Sequence, residues 1–326
     1  MKACVYEEYG PAEVVSLADV SVPTVADDEV LVRVHASSVT SADWRLRSSS
    51  FPVVFWLPGR LWLGLLRPKN KVLGMDFAGV VTAIGKAVTR FRVGDRVFGA
   101  SSPSRLGAHA EYISMAEDAA IVHTPSSLDD QQAAATPFGA NCALQFLRDF
   151  AKVQPGQRVL IVGASGAVGV WAVQLARHLG AHVTGVCSTA NLEFVKSLGA
   201  HEVVDYTASR SIAAAGDYDL IFDTIGAITF ASCRAALTEH GVYIPLNNGF
   251  REILQALFTW LRPGQKLRLA MSTNTQQDLQ SNVSMIEAGV LRPVVDTTFP
   301  MSRIVDAHRR VEGRHKRGTV VVTIAA

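Results

Sequence analysis

The chain has 326 residues, 48% of them hydrophobic and 18% charged, with a formal net charge of +2. That length favours two domains over one core, and the near-neutral balance gives no reason to expect nucleic acid or an acidic partner. Cys4, Cys142, Cys187 and Cys233 stand singly, so no disulfide framework or zinc knuckle is expected and a reducing, cytoplasmic setting fits.

The opening "MKACVYEEYG" meets acidic residues at once and has no apolar run, so it does not read as a signal peptide. Short β patterns follow. "EVLVRVHAS" alternates apolar with polar residues, and "FAGVVTAIG", "GDRVFGA" and "AEYISM" are further strands between Gly, Asp and Ser turns. A mostly antiparallel β domain is expected over residues 1–125. The apolar segment "FPVVFWLPGRLWLGLL" interrupts it at residues 51–66. Pro58 and Gly59 are expected to break this segment into two short pieces. It is too short to span a bilayer, so no stable membrane insertion is expected.

Near residue 127 the pattern changes. Ser127 is expected to cap a helix through "LDDQQAAA", and "ANCALQFLRDFA" forms a second helix after Pro137 and Gly139. Strands and helices then alternate from "QRVLIV" to "GVYIPL", which predicts βαβ units and a parallel sheet. The fold class is therefore α/β, with a dinucleotide-binding domain over 126–275. Residues 276–326, with helices at "QQDLQSNVSMIEAG" and "VDAHRRVEG" and strands at "LRPVVDTTF" and "TVVVTI", complete the first domain.

Within "VLIVGASGAVGVWAVQLARHLGA", glycines recur at 163, 166 and 169, with Ala164 where the usual fingerprint has its first glycine. Gly166 lets backbone approach a pyrophosphate, and Gly169 lets the helix pack closely. The backbone of Ser165, Gly166, Ala167 and Val168 faces the phosphates at the helix start. The alternative is a tight turn with no ligand. At the tip of the second strand stand Ser188, Thr189 and Asn191, neutral donors where an acid would select NAD. They favour NADPH, although a helix cap would use the same residue types. No arginine stands at this tip in the sequence.

The ordered set "GMDFAGVV", "VGDRVFG", "AEYI", "AATPFGANCAL", "VLIVGASGAVG" and "FDTIG" resembles the medium-chain dehydrogenase/reductase superfamily, in its zinc-independent quinone oxidoreductase (zeta-crystallin-like) branch. The resemblance implies a GroES-like β-rich catalytic domain beside a doubly wound Rossmann sheet. The zinc-dependent members place a Cys, a His and a second Cys where this chain has Thr40, Met75 and Pro137, and the four-cysteine structural lobe has no counterpart. No metal is therefore expected. A quinone or enone spreads the charge that zinc would otherwise stabilise.

By the same resemblance, Asp43 and Arg45 of "TSADWRLR" lie at the nicotinamide, in a loop where Thr40 and Ser41 replace the family's Asn-Pro. The other reading is an Asp–Arg pair on a surface loop. Thr136 reaches the carboxamide or caps a helix, Tyr206 lies by the adenine or is a half-buried strand residue, and Thr224 and Ile225 border the nicotinamide ribose or form a turn. Trp56 and Trp62 wall the acceptor site, with Phe51, Phe55, Leu57, Leu61 and Leu65 beside them, unless the segment packs on the β domain or a second subunit. Lys316 and Arg317, in the basic run "AHRRVEGRHKRG", are placed to edge the cofactor cleft. No tyrosine offers itself as proton donor, and the nine histidines form no cluster in the sequence. The resulting expectation is a zinc-free, NADPH-dependent reductase of quinones or enones that pairs as a homodimer through "KLRLAM". The rival is an NADPH-binding sensor or structural protein with weak or no turnover.

Overall fold

β3 (Glu29–Val39) organises the first half of the chain. Its Val30, Val32 and Val34 are fully buried, as alternation on a half-covered strand requires. The computed structural model describes residues 1–51, 53–208 and 216–324, with residues 53–55 as backbone only. Antiparallel pairing joins β3 to β4 (Asp76–Ile84) and β6 (Tyr112–Ala116), and β5 (Arg96–Ala100) and β7 (Ile121–His123) continue the sheet beyond β4. A separate ribbon, β1 (Lys2–Tyr6) with β2 (Val15–Asp19), was not anticipated.

The second sheet is wholly parallel. It contains β8 (Arg158–Val162), β9 (His182–Cys187), β10 (Glu202–Asp205), β11 (Tyr218–Asp223), β12 (Leu237–Pro245) and β13 (Lys266–Leu267). The spatial order is β10-β9-β8-β11-β12-β13. Chain order reverses between β8 and β11, which opens a crevice at their C-terminal ends. The helices α3 (Asp130–Ala134), α4 (Pro137–Leu144), α5 (Gly169–His178), α6 (Leu192–Ser197), α7 (Phe230–Cys233), α8 (Phe250–Trp260) and α9 (Gln276–Glu287) accompany it. The chain then returns to the first sheet. β15 (Thr319–Thr323) pairs antiparallel with β3, and β14 (Val295–Pro300) lies parallel to β15, connected through α10 (Ile304–Glu312).

Several local expectations need correction. Helix α3 starts at Asp130 under an Asp129 cap, not at Ser127. Asp129 accepts the Gln132 amide at 2.7 Å while the Gln132 side chain accepts from the Asp129 amide. "TSADWRLR" is not a loop but α1 (Ser41–Ser48). Residues 53–63 form one helix, α2 (Val53–Leu63), with Pro58 inside it. Proline there removes one intrahelical bond, and tertiary contacts offset the loss: Leu63 is buried, and the Arg60 guanidinium lies 3.8 Å from the Tyr9 ring centre. Helix α8 was not foreseen, and "KLRLAM" contributes only two strand residues. Among the described residues, no helix is long and apolar enough to cross a membrane.

The tightest approach between sheet and helix lies at Gly169. A Cβ there would stand 2.1 Å from the Gly163 carbonyl oxygen and 2.8 Å from Ala164 backbone, neither of which can yield cheaply. At Gly166 the nearest atom to such a Cβ would be 3.3 Å away. Gly169→Ala should therefore lower unfolding stability by about 2 kcal/mol, and Gly166→Ala by much less. Equal chemical-denaturation midpoints for the two variants would contradict this account.

Candidate active site

Helix α1 begins with a reciprocal cap. The Thr40 amide and hydroxyl donate to Asp43 Oδ2 at 2.8 and 2.7 Å, and Thr40 Oγ1 accepts the Ala42 and Asp43 amides. Asp43 is fully buried, and its Oδ1 has no partner. It does not pair with Arg45. Arg45 instead donates to Asn247 Oδ1, which ties α1 to the loop after β12. Burial, with Arg314 nearby, lowers the Arg45 pKa from its ordinary value.

Two further buried ionisable groups lie close to Asp43. Asp76 accepts the Ser38 hydroxyl at 2.8 Å and the Phe138 amide at 3.2 Å through Oδ2, while Oδ1 is unpartnered. Burial pushes its carboxyl up to about 8 against the Ser38 bond, and the Asp43 charge adds to the rise. Lys316 is 8% exposed with no partner for Nζ. Burial, opposed by Asp296, pushes its ammonium down to about 8. Sequence reasoning missed the Asp76 environment. The signal available was an acid inside the apolar run "GMDFAGVV".

The glycine loop closes the end of β8. Gly163 has φ +79°, and a Cβ there would meet Thr224 Oγ1 and Ile225 Cγ2, each at 2.7 Å. Thr224 and Ile225 therefore lie against this loop. Ala164 is tolerated in the fingerprint's glycine position because β9 supplies Gly185 opposite, where a Cβ would come within 3.1 Å of the Ala164 methyl. The buried Ala167 and Val168 have backbone amides without a hydrogen-bond partner among the described residues. These free donors ahead of α5 fit a pyrophosphate.

At the β9 tip, Asn191 Nδ2 donates to Ser165 Oγ at 3.2 Å and Ser188 Oγ at 3.1 Å. Arg317 reaches the same place, donating to Asn191 Oδ1 and the Ala190 carbonyl. An arginine thus does stand at the tip, brought by the fold from the segment just before β15. Thr189 turns away. Its hydroxyl donates to Asp205 Oδ2 at 2.6 Å, so it is not a free donor beside Ser188. Tyr206 follows β10 and is 40% exposed. Thr136 is buried and donates to the Gln132 carbonyl at 2.8 Å, so its side chain does not cap α4.

Other expected features are not gathered here. Trp56 and Trp62 are exposed on α2, and the Phe55 side chain lies outside the described residues. The histidines include two ring pairs: His109 with His308, buried, and His182 with His201, near the surface. At the positions of the zinc ligands, Thr40 is committed to the α1 cap, Met75 is 4% exposed in the β-domain core, and Pro137 begins α4. Cys142 is buried, with its thiol pushed up to about 12. No three His, Cys, Asp or Glu side chains gather as a metal site among the described residues.

Residues 26–126 match the alcohol dehydrogenase GroES-like domain, and residues 198–322 match the zinc-binding dehydrogenase family. A chloroplastic quinone-oxidoreductase homolog of Spinacia oleracea is 31% identical, over 99% of this chain and 98% of its own length. A chloroplastic NADPH-dependent alkenal/one oxidoreductase of Arabidopsis thaliana is also 31% identical, over 99% of this chain and 79% of its own. The solved quinone oxidoreductase of Coxiella burnetii superposes with a TM-score of 0.89 at 27% identity, covering 100% of this chain and 99% of its own.

The Asp76 environment predicts a pH signature. The fold favours protonated Asp76, whereas an unfolded aspartate gives up its proton near pH ~4. Its contribution to stability is complete below that range and is lost as pH rises through about 8. Lys316 acts in the opposite sense: its contribution is complete above the ordinary lysine range and is lost as pH falls through about 8. Asp76→Asn keeps an acceptor for Ser38 and Phe138 but cannot ionise. Its melting temperature relative to wild type should rise by roughly 5 °C between mildly acidic and mildly alkaline buffer. A difference that stays constant with pH would refute the assignment.

Proposed function

The chain belongs to the medium-chain dehydrogenase/reductase superfamily, in its quinone-oxidoreductase-like branch, and from that membership we propose that it reduces a quinone or α,β-unsaturated carbonyl with NADPH and without a metal. The observation that carries the cofactor choice is Arg317 at the β9 tip, joined through Asn191 to Ser188 and Ser165. A cation and hydroxyl donors there suit a ribose 2′-phosphate, which an acid at the strand end would repel.

NADPH, when bound, supplies the hydride. The chain's own part is to hold and orient. The Ala167 and Val168 amides receive the pyrophosphate after Ser165 and Gly166. Thr224 and Ile225 border the nicotinamide ribose, and Tyr206 flanks the adenine end. Arg45, fixed by Asn247, and Asp43, fixed by the α1 cap, set the nicotinamide side of the cleft. Thr136 offers its hydroxyl oxygen there as an acceptor. The acceptor spreads incoming charge over a conjugated system, so no Lewis acid is required. Thr40, Met75 and Pro137 do not fit zinc, because they offer no thiolate, imidazole or carboxylate, the ligands it takes in proteins. Trp56 and Trp62 stand at the mouth of the acceptor path. Pairing of two subunits along the β13 edge would continue the six-stranded sheet.

Arg317→Ala should weaken NADPH binding by about 10- to 100-fold and leave NADH nearly unchanged, the size of one lost charge-assisted contact. Wild-type protein that binds NADH at least as tightly as NADPH would overturn the cofactor choice. In a single turnover, bound NADPH should be oxidised by a quinone. Cofactor that stays reduced against quinones, enones and alkenals would assign the fold to sensing instead. Elemental analysis that finds one zinc per chain would refute metal independence.

A further inference from the structure

Hydride transfer to a quinone or enone creates an oxyanion, and a proton has to reach it. Among the described residues, the only lysine in the interior is Lys316, 8% exposed, and its Nζ has no hydrogen-bond partner. A lysine ordinarily carries its ammonium out to water. An ammonium held inside without a partner is costly, and a methionine of similar length would fill the space without that cost. The segment is fixed by its neighbours instead. The Arg317 amide donates to Asp296 Oδ1 at 2.6 Å, and the Gly318 amide donates to the Ser165 carbonyl at 2.8 Å. Neither bond involves the Lys316 ammonium.

Backbone contacts put this segment where the two domains meet. Gly318 lies against the glycine loop at Ser165 and Gly166. Thr319 Oγ1 donates to the Ala135 carbonyl at 3.3 Å, beside the Thr136 that precedes α4. The charged groups that act on Lys316 are Asp296 from β14, Arg310 from α10 and Asp43 from α1. Asp296 is occupied by the Arg310 fork and the Arg317 amide. Asp43 is fully buried and keeps Oδ1 unpartnered. Lys316 and Asp43 are thus a donor and an acceptor in one interior, neither bonded to the other.

We propose that Lys316 is the proton donor of the reduction, its Nζ giving a proton to the acceptor oxygen as hydride arrives from NADPH. This rests on the reaction proposed above. One N–H bond of the ammonium breaks and one O–H bond of the product forms. The hydride carries both electrons, so no further reductant is needed, and the neutral amine regains its proton from water after the product leaves. Burial, opposed by Asp296, pushes the ammonium down to about 8, and Arg310 adds to the fall. It is therefore charged at neutral pH yet releases its proton more readily than an ordinary lysine. Asp76 is the other buried group that holds a proton there. Its Oδ2 is bound by Ser38 and Phe138 on a short side chain, whereas Lys316 extends on a four-carbon stem with no bond to break.

The test uses the full chain. Lys316→Met removes the proton, and Lys316→Arg keeps the charge but holds its proton too tightly to release it. Both should slow single-turnover reduction of a quinone by NADPH roughly 100-fold, while NADPH binding stays near wild type. Both should also lose the alkaline limb, the fall in wild-type rate as pH rises through about 8. Heteronuclear NMR of protein labelled in its lysine nitrogens gives a readout free of turnover: one ammonium should titrate near about 8 and be missing from Lys316→Met. Lys316→Met should unfold at no lower denaturant than wild type, so lost turnover is not lost fold; Lys316→Gln replaces it if it does not fold. Wild-type turnover in Lys316→Met overturns the proposal. Turnover kept by Lys316→Arg overturns it too and makes the charge a cofactor contact. A limb that survives in Lys316→Met and disappears in Asp76→Asn moves the proton to Asp76 and overturns it as well. Wild type that reduces no quinone or enone sinks the proposed reaction and the donor role together, whereas active wild type beside equally active Lys316→Met sinks the donor role alone.

Discussion

The Gly318 amide donates to the Ser165 carbonyl at 2.8 Å, and by this bond the last strand of the first sheet is held against the glycine loop of the second. Gly318 has φ +81°, and a Cβ there would stand 2.2 Å from the Val294 carbonyl oxygen, so the crossing admits only glycine. Its neighbours inherit their positions from it. Arg317 is carried to the β9 tip, and Lys316 is carried inward toward Asp43. Asp296 secures the segment from the other side. Its carboxylate takes the Arg310 fork at 2.8 and 2.9 Å and the Arg317 amide at 2.6 Å. These bonds hold the Asp296 carboxyl below its usual range against the opposing effect of burial, so it stays charged opposite Lys316.

That dependence explains what the sequence could and could not disclose. The strand "VLIV", the glycine loop and the neutral tip at Ser188 are local patterns, and each appears where it was read. Arg317 lies 126 residues from Asn191, and nothing in the spacing of either segment announces their meeting. Thr40 and Asp43 are a different case. Threonine three residues before an acid is a helix-start signature. It is legible in the sequence, although the resemblance implies a loop at this place. The stripe from Phe250 to Leu261 was legible too, since its 3.6-residue period is plain in the sequence. What the period does not tell is which way the stripe faces.

The buried ionisable groups show a second limit of local reading. Asp43, Asp76 and Lys316 each keep an atom without a partner inside the protein. A buried polar atom left this way costs stability unless something else constrains it there. For Asp43 the constraint is the helix cap, and for Asp76 it is the Ser38 hydroxyl and the start of α4. For Lys316 it is the backbone crossing at Gly318. Each group is thus held by interactions on one side only, with one polar atom left unpartnered.

Bulk composition averages over these differences. A net charge of +2 is compatible with a uniformly neutral surface, and it is equally compatible with basic segments at 53–71 and 250–268 set against an acidic remainder. The second description holds, because the rest of the chain carries the excess of acids, and the same two basic segments also expose aromatic and aliphatic side chains. Charge and apolar exposure coincide on α2 and α8, and α8 begins three residues after the Asn247 that Arg45 binds. Had the apolar stripe of α8 faced the sheet, its arginines would be an ordinary solvated rim. Turned outward, the stripe leaves those arginines beside exposed apolar side chains, and the average that described the chain as neutral stops describing that part of its surface.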